Sequence, residues 1–348
     1  MSARPGLLGV LAGGASALGP TAAAAHVKWF EEPAQYPLRT DLILSERTAL
    51  LVVSALVALG VLYGLQRLLG SPHWPEVAFL RLMAIGGPTL LAVQAAIGLI
   101  HAGAHLALFA PNLPLPQDAL GLGLAAVQIV IAFSFITGIG DWLSALALIA
   151  LWAAGFLLFP PFDVLEQLFW TGIGVVLLVI GRFAIDGREA RPWFRQHNPR
   201  WSLRAIAALR IITGLSIVAP ALGEKLWNPE LGAAFLAHHP EFNFLRTYLG
   251  LTWFTDERFV LVAGLAEAII GILLASGLLT RVVILGMWLP FNAGLPFLPP
   301  QELLGHLPIF GIMYLLLVHS AGIAPGTAQE ISRVVPLARS TPNRRRTL

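Results

Sequence analysis

The chain contains no cysteine. That excludes a disulfide framework, a thiol redox pair, thiolate-held zinc and an iron–sulfur cluster ligated by the chain itself, so any redox chemistry has to use a bound cofactor or a partner. Charge is scarce as well. Asp, Glu, Lys and Arg make up 12% of the 348 residues, about half the share usual in a soluble domain. The hydrophobic share is 57% and the mean hydropathy is +0.76. There is no nucleotide-binding loop, nucleophile triad, metalloprotease motif or basic recognition helix. The arginines that supply the net charge of +3 cluster beside apolar runs, which reports membrane orientation rather than nucleic-acid binding. What remains is an all-α, polytopic membrane protein with the lipid bilayer as its surroundings and no nucleic-acid partner.

The run from Arg258 to Gly277 matches the thickness of a bilayer core, which about 20 helical residues span, and carries one acid at its middle, Glu267. A carboxylate at that depth costs about 2.5–3.5 kcal/mol, so it is expected in a bundle interior, in a cavity or beside a cation. Glu267 is therefore the leading site residue, unless it only ties two helices together. An offset of 139 positions, the separation of Gln128 from Glu267, also lays Gly138 on Gly277, Gly155 on Gly294 and Gly172 on Gly311 without a gap. The same offset lays residues 159–168 on 298–307, pairing Asp163 with Glu302 and Gln167 with His306. This predicts two copies of a four-helix unit, of which only the second keeps the acid.

In chain order, residues 1–25 read as a signal peptide with Ala23 and Ala25 at its cleavage site, or else as an uncleaved leading helix. Residues 26–46 form an outer segment, and the first span lies within 47–70. The first repeat occupies 79–184, with a long second span from about Phe79 to Phe109 that holds Gly86-Gly87-Pro88 and is expected to be kinked or tilted. A basic loop follows at 185–202, the second repeat at 203–320, and a basic tail at 321–348. The positive-inside bias puts that loop and tail in the cytoplasm of a bacterial-type inner membrane. Counting from them predicts nine helices and an external mature amino terminus. Residues 228–257, rich in aromatics, form the one long outer loop, expected to lie on the membrane surface.

The second half has a pattern of its own. Arg210-x3-Gly214 opens a span, Gly223-x-Lys225 closes it, Gly264-Leu265-Ala266-Glu267-x3-Gly271 lies in the next, and Gly277-x2-Thr280-Arg281 ends that one. These motifs resemble the DoxX family of small four-helix membrane proteins over about residues 203–320, and more weakly over 79–184. The resemblance implies a membrane subunit of a quinone-linked or thiol-redox oxidoreductase assembly with redox partner proteins. The first copy departs from it, with Gln128 in place of Glu267 and Trp142 in place of Arg281.

Three functions compete. In the first, a quinone sits between helices near Glu267, with Asn292 and His306 completing the proton-handling groups and Lys225, Arg281 and Arg210 as candidate cofactor-binding cations, Arg281 more as an anchor at the inner interface. In the second, histidines of the outer face handle copper or another metal, with His26, His101 and His105 as ligands, or serve small-solute transport. In the third, the bundles are a ligand-free scaffold.

Overall fold

The computed structural model describes residues 27–29, 31, 35–84, 86–184, 190–198, 200–293 and 300–320, with side chains for all of these but 29, 78, 81, 82, 289–293 and 300–302. The expected signal peptide, His26, the basic tail, Arg188 and Gly294 lie outside the described residues. Among the described residues every element is helical, and the one extended pairing is an isolated bridge between Ala107 and Pro114.

Helix α1 (Glu46–Leu69) is followed by a short α2 (Ala78–Met83) and by α3 (Gly87–Ala104). The expected long second span is thus two helices rather than one kinked one. Gly86 takes a left-handed conformation at φ 78°, and Pro88, which cannot donate a backbone hydrogen bond, opens α3 instead of bending it. Helices α4 (Ala119–Thr137) and α5 (Asp141–Gly155) form a hairpin. A span expected over about Leu165 to Ala184 is shorter, α7 (Phe169–Val179), and is preceded by a separate short helix, α6 (Pro161–Glu166). The basic loop contains α8 (Pro192–His197). Helix α9 (Trp201–Pro220) runs into a π turn, Ala221–Leu226.

The long aromatic loop folds into α10 (Pro229–His238), a short turn at Pro240–Phe242 and α11 (Phe244–Thr247). Phe244, Tyr248, Leu249 and Trp253 stand exposed along it, as a segment seated at a membrane surface requires. Helices α12 (Asp256–Ser276), α13 (Thr280–Ala293) and α14 (Pro300–His319) complete the chain.

Among the described residues, five helical segments, α1, α3, α4, α9 with its π turn, and α12, are long and apolar enough to cross a membrane. Helices α5, α7 and residues 303–319 of α14 are apolar but shorter. Outward faces rich in Val, Leu and Phe, such as Val53, Leu56 and Val57 on α1 and Val130 and Phe133 on α4, are what lipid solvates.

The centre is made by α3, α7, α9 and α14. Helix α3 packs on α4 and α14, and α9 packs on α12 and α7. Glycines set the closest approaches. A Cβ on Gly172 would press on Leu209 and Ile212 of α9, and one on Gly311 would press on Leu91 and Gln94 of α3. Trp170, Phe135, Leu91, Ile173 and Leu209 fill the core between them.

The two ends of the bundle are closed differently. At one end, Arg281 donates to the carbonyls of Leu317 and Val318 (both 2.9 Å) and of His73 and Pro75, neutralising the C-terminal carbonyls of α14 while pinning the loop after α1. Arg191 treats α7 likewise, donating to Leu178 and Leu177 carbonyls, and is held by Asp141 at 2.7 Å. At the other end, residues 27–29 and 35–45 lie across the mouth of α9, α10 and α12. Arg39 N–H donates to the Trp227 carbonyl (2.9 Å), Asn228 Nδ2 to the Tyr36 carbonyl (2.7 Å), and Trp227 Nε1 to Thr48 Oγ1 (3.0 Å).

Candidate site: a buried ion-pair network at a π turn

Pro220, within the last turn of α9, cannot donate to the carbonyl of Ser216, and the helix widens immediately beyond it into the π turn. Such widenings collect at functional positions because they redirect side chains that a regular helix would stack. Here the turn carries Gly223-Glu224-Lys225. Glu224 is completely buried, and the Lys225 stem crosses α12 where that helix has Gly264. A Cβ on Gly264 would lie 2.9 Å from the Lys225 Cβ, so the absence of a side chain is what admits the lysine.

One turn further along α12, Lys225 Nζ donates to Glu267 Oε2 at 2.9 Å, and the same Nζ stands 3.9 Å from Glu224 Oε2. Glu267 lies eleven residues into α12, about 16 Å along its axis. Its side chain keeps 39% of its exposure while that of Lys225 keeps 12%. The acid therefore sits at the rim of the bundle, paired but not sealed inside it. On the other face of α12, Leu261, Leu265, Ile269 and Ile272 pack in an apolar cluster with Leu51 of α1.

The network continues toward the chain's first described residues. Val27 N–H donates to Glu224 Oε2 at 3.0 Å, with the Val27 side chain in an apolar nest of Leu231, Phe235, Leu236 and Val260. Lys28 Nζ donates to Asp163 Oδ1 at 2.6 Å and to Glu166 Oε1. Ser216 of α9 fixes α6 by donating to the Glu166 carbonyl. Burial works against the Lys28 ammonium, but Glu166, Glu224 and Asp163 outweigh it and hold the pKa above the ordinary lysine value. Four carboxylates, Asp163, Glu166, Glu224 and Glu267, thus meet two lysines, Lys28 and Lys225, on four separate elements.

Sequence reasoning named Glu267 and Lys225, and the structure brings these two together. It missed Lys28, Glu166, Glu224 and Asp163 as site residues. The signal for Glu224 and Glu166 was there, since each is an acid set inside an apolar run, as Glu267 is.

The remaining candidates lie elsewhere. Arg210 donates to the carbonyls of Leu274 and Ala275, two turns along α12 from Glu267, and Arg281 closes the same end of the bundle. Both act on helix ends, so neither stands with Lys225 as a cofactor-binding cation. His306 is buried on α14, the helix packed on α3, whereas Glu267 faces α9. Asn292 lies on α13, and its side chain is outside the described set.

His101 and His105 do share a face, with ring centroids 4.5 Å apart, and His105 Nδ1 lies 2.8 Å from the His101 carbonyl. That is a helix-ending contact, and among the described residues no three His, Asp or Glu side chains converge as a metal site. Gln128, at the position offset from Glu267, is buried and bonded twice to backbone, donating to the Ala107 carbonyl and accepting from Phe109 N–H, both at 2.9 Å. It clamps a loop and has no ionisable group.

Compared with protein-family models, curated proteins and solved structures, the chain matches none.

Proposed function

We propose that this chain is a DoxX-like, multi-pass membrane protein that serves as the membrane subunit of a quinone-linked or thiol-redox assembly, with the Lys225–Glu267 pair as its proton-handling centre. One observation carries the reading: an ionisable pair on a π turn, near the middle of a membrane-length helix, half-open to an apolar surface. A buried salt bridge adds little to stability, and a helix tie needs no titratable group. A pair open to the lipid side, by contrast, can exchange a proton with a molecule dissolved there.

The residues fit a quinone headgroup. Lys225 offers N–H donors, and Glu267 offers a carboxyl that can hold or release a proton. When bound, a quinone supplies the two-electron, two-proton chemistry that a cysteine-free chain lacks. The chain's own part is then to orient the headgroup through Lys225, to exclude water, and to carry the proton at Glu267.

The two-copy plan belongs to the same proposal, with nine crossings, a cleaved leader and the Val27–Trp29 end outside. Its support is local. Gly138 and Gly277 both end a helix in the left-handed conformation, at φ 77° and 79°. Gly172 and Gly311, the same offset apart, each receive a helix from the other half. Arg191 and Arg281 cap carbonyls at Leu178 and Leu317, again at that offset.

Two measurements test the function. Organic extraction of the purified protein should release quinone in stoichiometric amount, and Glu267→Gln should abolish activity of the host redox pathway while leaving expression unchanged. A protein free of quinone whose Glu267→Gln variant is fully active across pH overturns the proposal.

A further inference from the structure

Beyond the pair itself, the lysines and carboxylates that adjoin it among the described residues lie on one side. From Glu267 toward the Val27–Trp29 end lie Lys225 at 2.9 Å, Glu224 at 3.9 Å from that lysine and bonded to Val27 N–H, and, from the next residue, Lys28 paired with Glu166 and Asp163. Glu166 lies within electrostatic reach of Lys225 as well, and Glu224 of Lys28, so the two lysine centres share their acids. Side-chain exposure falls inward along this chain, from 18% at Asp163 to 7% at Lys28 and none at Glu166 or Glu224.

Toward the opposite end the seam between α9 and α12 is shut by backbone. A Cβ on Gly214 would fall 2.4 Å from the Gly271 carbonyl oxygen, and one on Gly271 would fall 2.6 Å from that of Gly214. Ala268 and Leu274 are fully buried there. Arg210, on that side, donates to carbonyls of α12.

From this asymmetry we infer that Asp163, Lys28, Glu166, Glu224 and Lys225 form a one-sided proton path, through which Glu267 exchanges with water only at the Val27–Trp29 end of the bundle. The inference rests on Glu267 being the proton-handling group, and it names the compartment that the group serves. In one transfer an N–H bond of the Lys225 ammonium breaks as an O–H bond forms on Glu267. Water at Asp163 supplies a proton that passes by way of Lys28 and Glu166 to the Glu224 carboxylate, forming an O–H bond there; that bond breaks as the Lys225 amine takes the proton, the lysine's four-carbon stem covering the roughly 1 Å between 3.9 Å and hydrogen-bond distance. Charge is conserved at each step, and no oxidant or reductant is required. The groups that face the path are those of the Val27–Trp29 turn (Lys28), α6 (Asp163, Glu166), the π turn (Glu224, Lys225) and α12 (Glu267).

The test uses the full-length protein in sealed vesicles of known orientation and a lipid-soluble carbodiimide, which reacts with protonated carboxyl groups, with the Glu267 adduct read by mass spectrometry. Labelling of Glu267 is expected to rise when the compartment at the Val27–Trp29 end is acidified and to stay flat when the other one is. Asp163→Asn and Lys28→Met should each slow this response by on the order of a hundredfold, the low end for loss of a positioned proton carrier. Asp163 is partly exposed, so its variant remains informative if Lys28→Met does not fold. Labelling that follows the other compartment, follows both alike, is unchanged in the variants, or never occurs overturns the path. An active Glu267→Gln variant refutes the functional reading whatever the sidedness. An inactive one with labelling from the wrong side refutes the path alone.

Discussion

Replacing Lys225 with Met removes the one cation that contacts Glu267 among the described residues and keeps most of the stem's volume. Breaking a buried pair by deleting one partner costs about 3–5 kcal/mol, because the remaining charge loses its compensation. Glu267 keeps 39% of its side-chain exposure and can neutralise itself by taking a proton, so the lower end, about 3 kcal/mol, applies. Glu267→Gln is milder. The amide still accepts from Lys225, which keeps Glu224 at 3.9 Å, and the expected cost is about 1 kcal/mol. In the double variant no carboxylate is stranded at position 267, so its cost should fall short of the sum of the two by at least about 1 kcal/mol. The assay is reversible unfolding in mixed micelles with increasing anionic detergent, followed by loss of helical circular dichroism. A Lys225→Met variant within about 0.5 kcal/mol of wild type, or singles that add within about 0.5 kcal/mol, would refute the coupling on which the site is built.

Three further outcomes are expected. Gly264→Ala forces a methyl group to within 2.9 Å of the Lys225 Cβ and 3.0 Å of the Leu226 side chain, so the same unfolding assay should show an overpacking loss of about 1–3 kcal/mol. Gln128→Ala strands the Phe109 N–H and the Ala107 carbonyl, costing about 2 kcal/mol; proteolysis should then cut faster within residues 106–115. Lys28 has a folded pKa above its unfolded one. Its stabilisation is therefore full below the unfolded value of about 10.4 and is lost only as pH rises through the higher folded one. The melting-temperature difference between wild type and Lys28→Met should accordingly be equal at neutral and mildly alkaline pH and shrink only in strong base.

Helix positions were legible because apolar length and glycine punctuation are local signals. Gly138 and Gly277 stop α4 and α12 where the sequence has them. The irregularity at Gly86-Gly87-Pro88 was legible but not that it separates two helices, and nothing in the residues Glu166 to Phe169 marked the end of one helix and the start of the next. Glu267 stood out as a lone acid within a long apolar run, and the stripe of Gly264 and Gly271 marked the helix contact beside it. Its partner could not be ranked from the sequence, because Lys225 and Arg210 flank the same span and the π turn decides which one reaches α12. Pairs such as Lys28 with Glu166, 138 residues apart, leave no periodic trace at all.

The central claim, that Glu267 takes up and releases a proton, is tested most directly by infrared difference spectroscopy of the protein in lipid nanodiscs as pH is stepped up and down. The account predicts a protonated-carboxyl C=O band that appears and disappears reversibly, is missing from Glu267→Gln, and shifts when Lys225 is replaced by Met. A spectrum in which no carboxyl band depends on Glu267 at any pH would contradict it and leave the Lys225–Glu267 pair as a tie between helices.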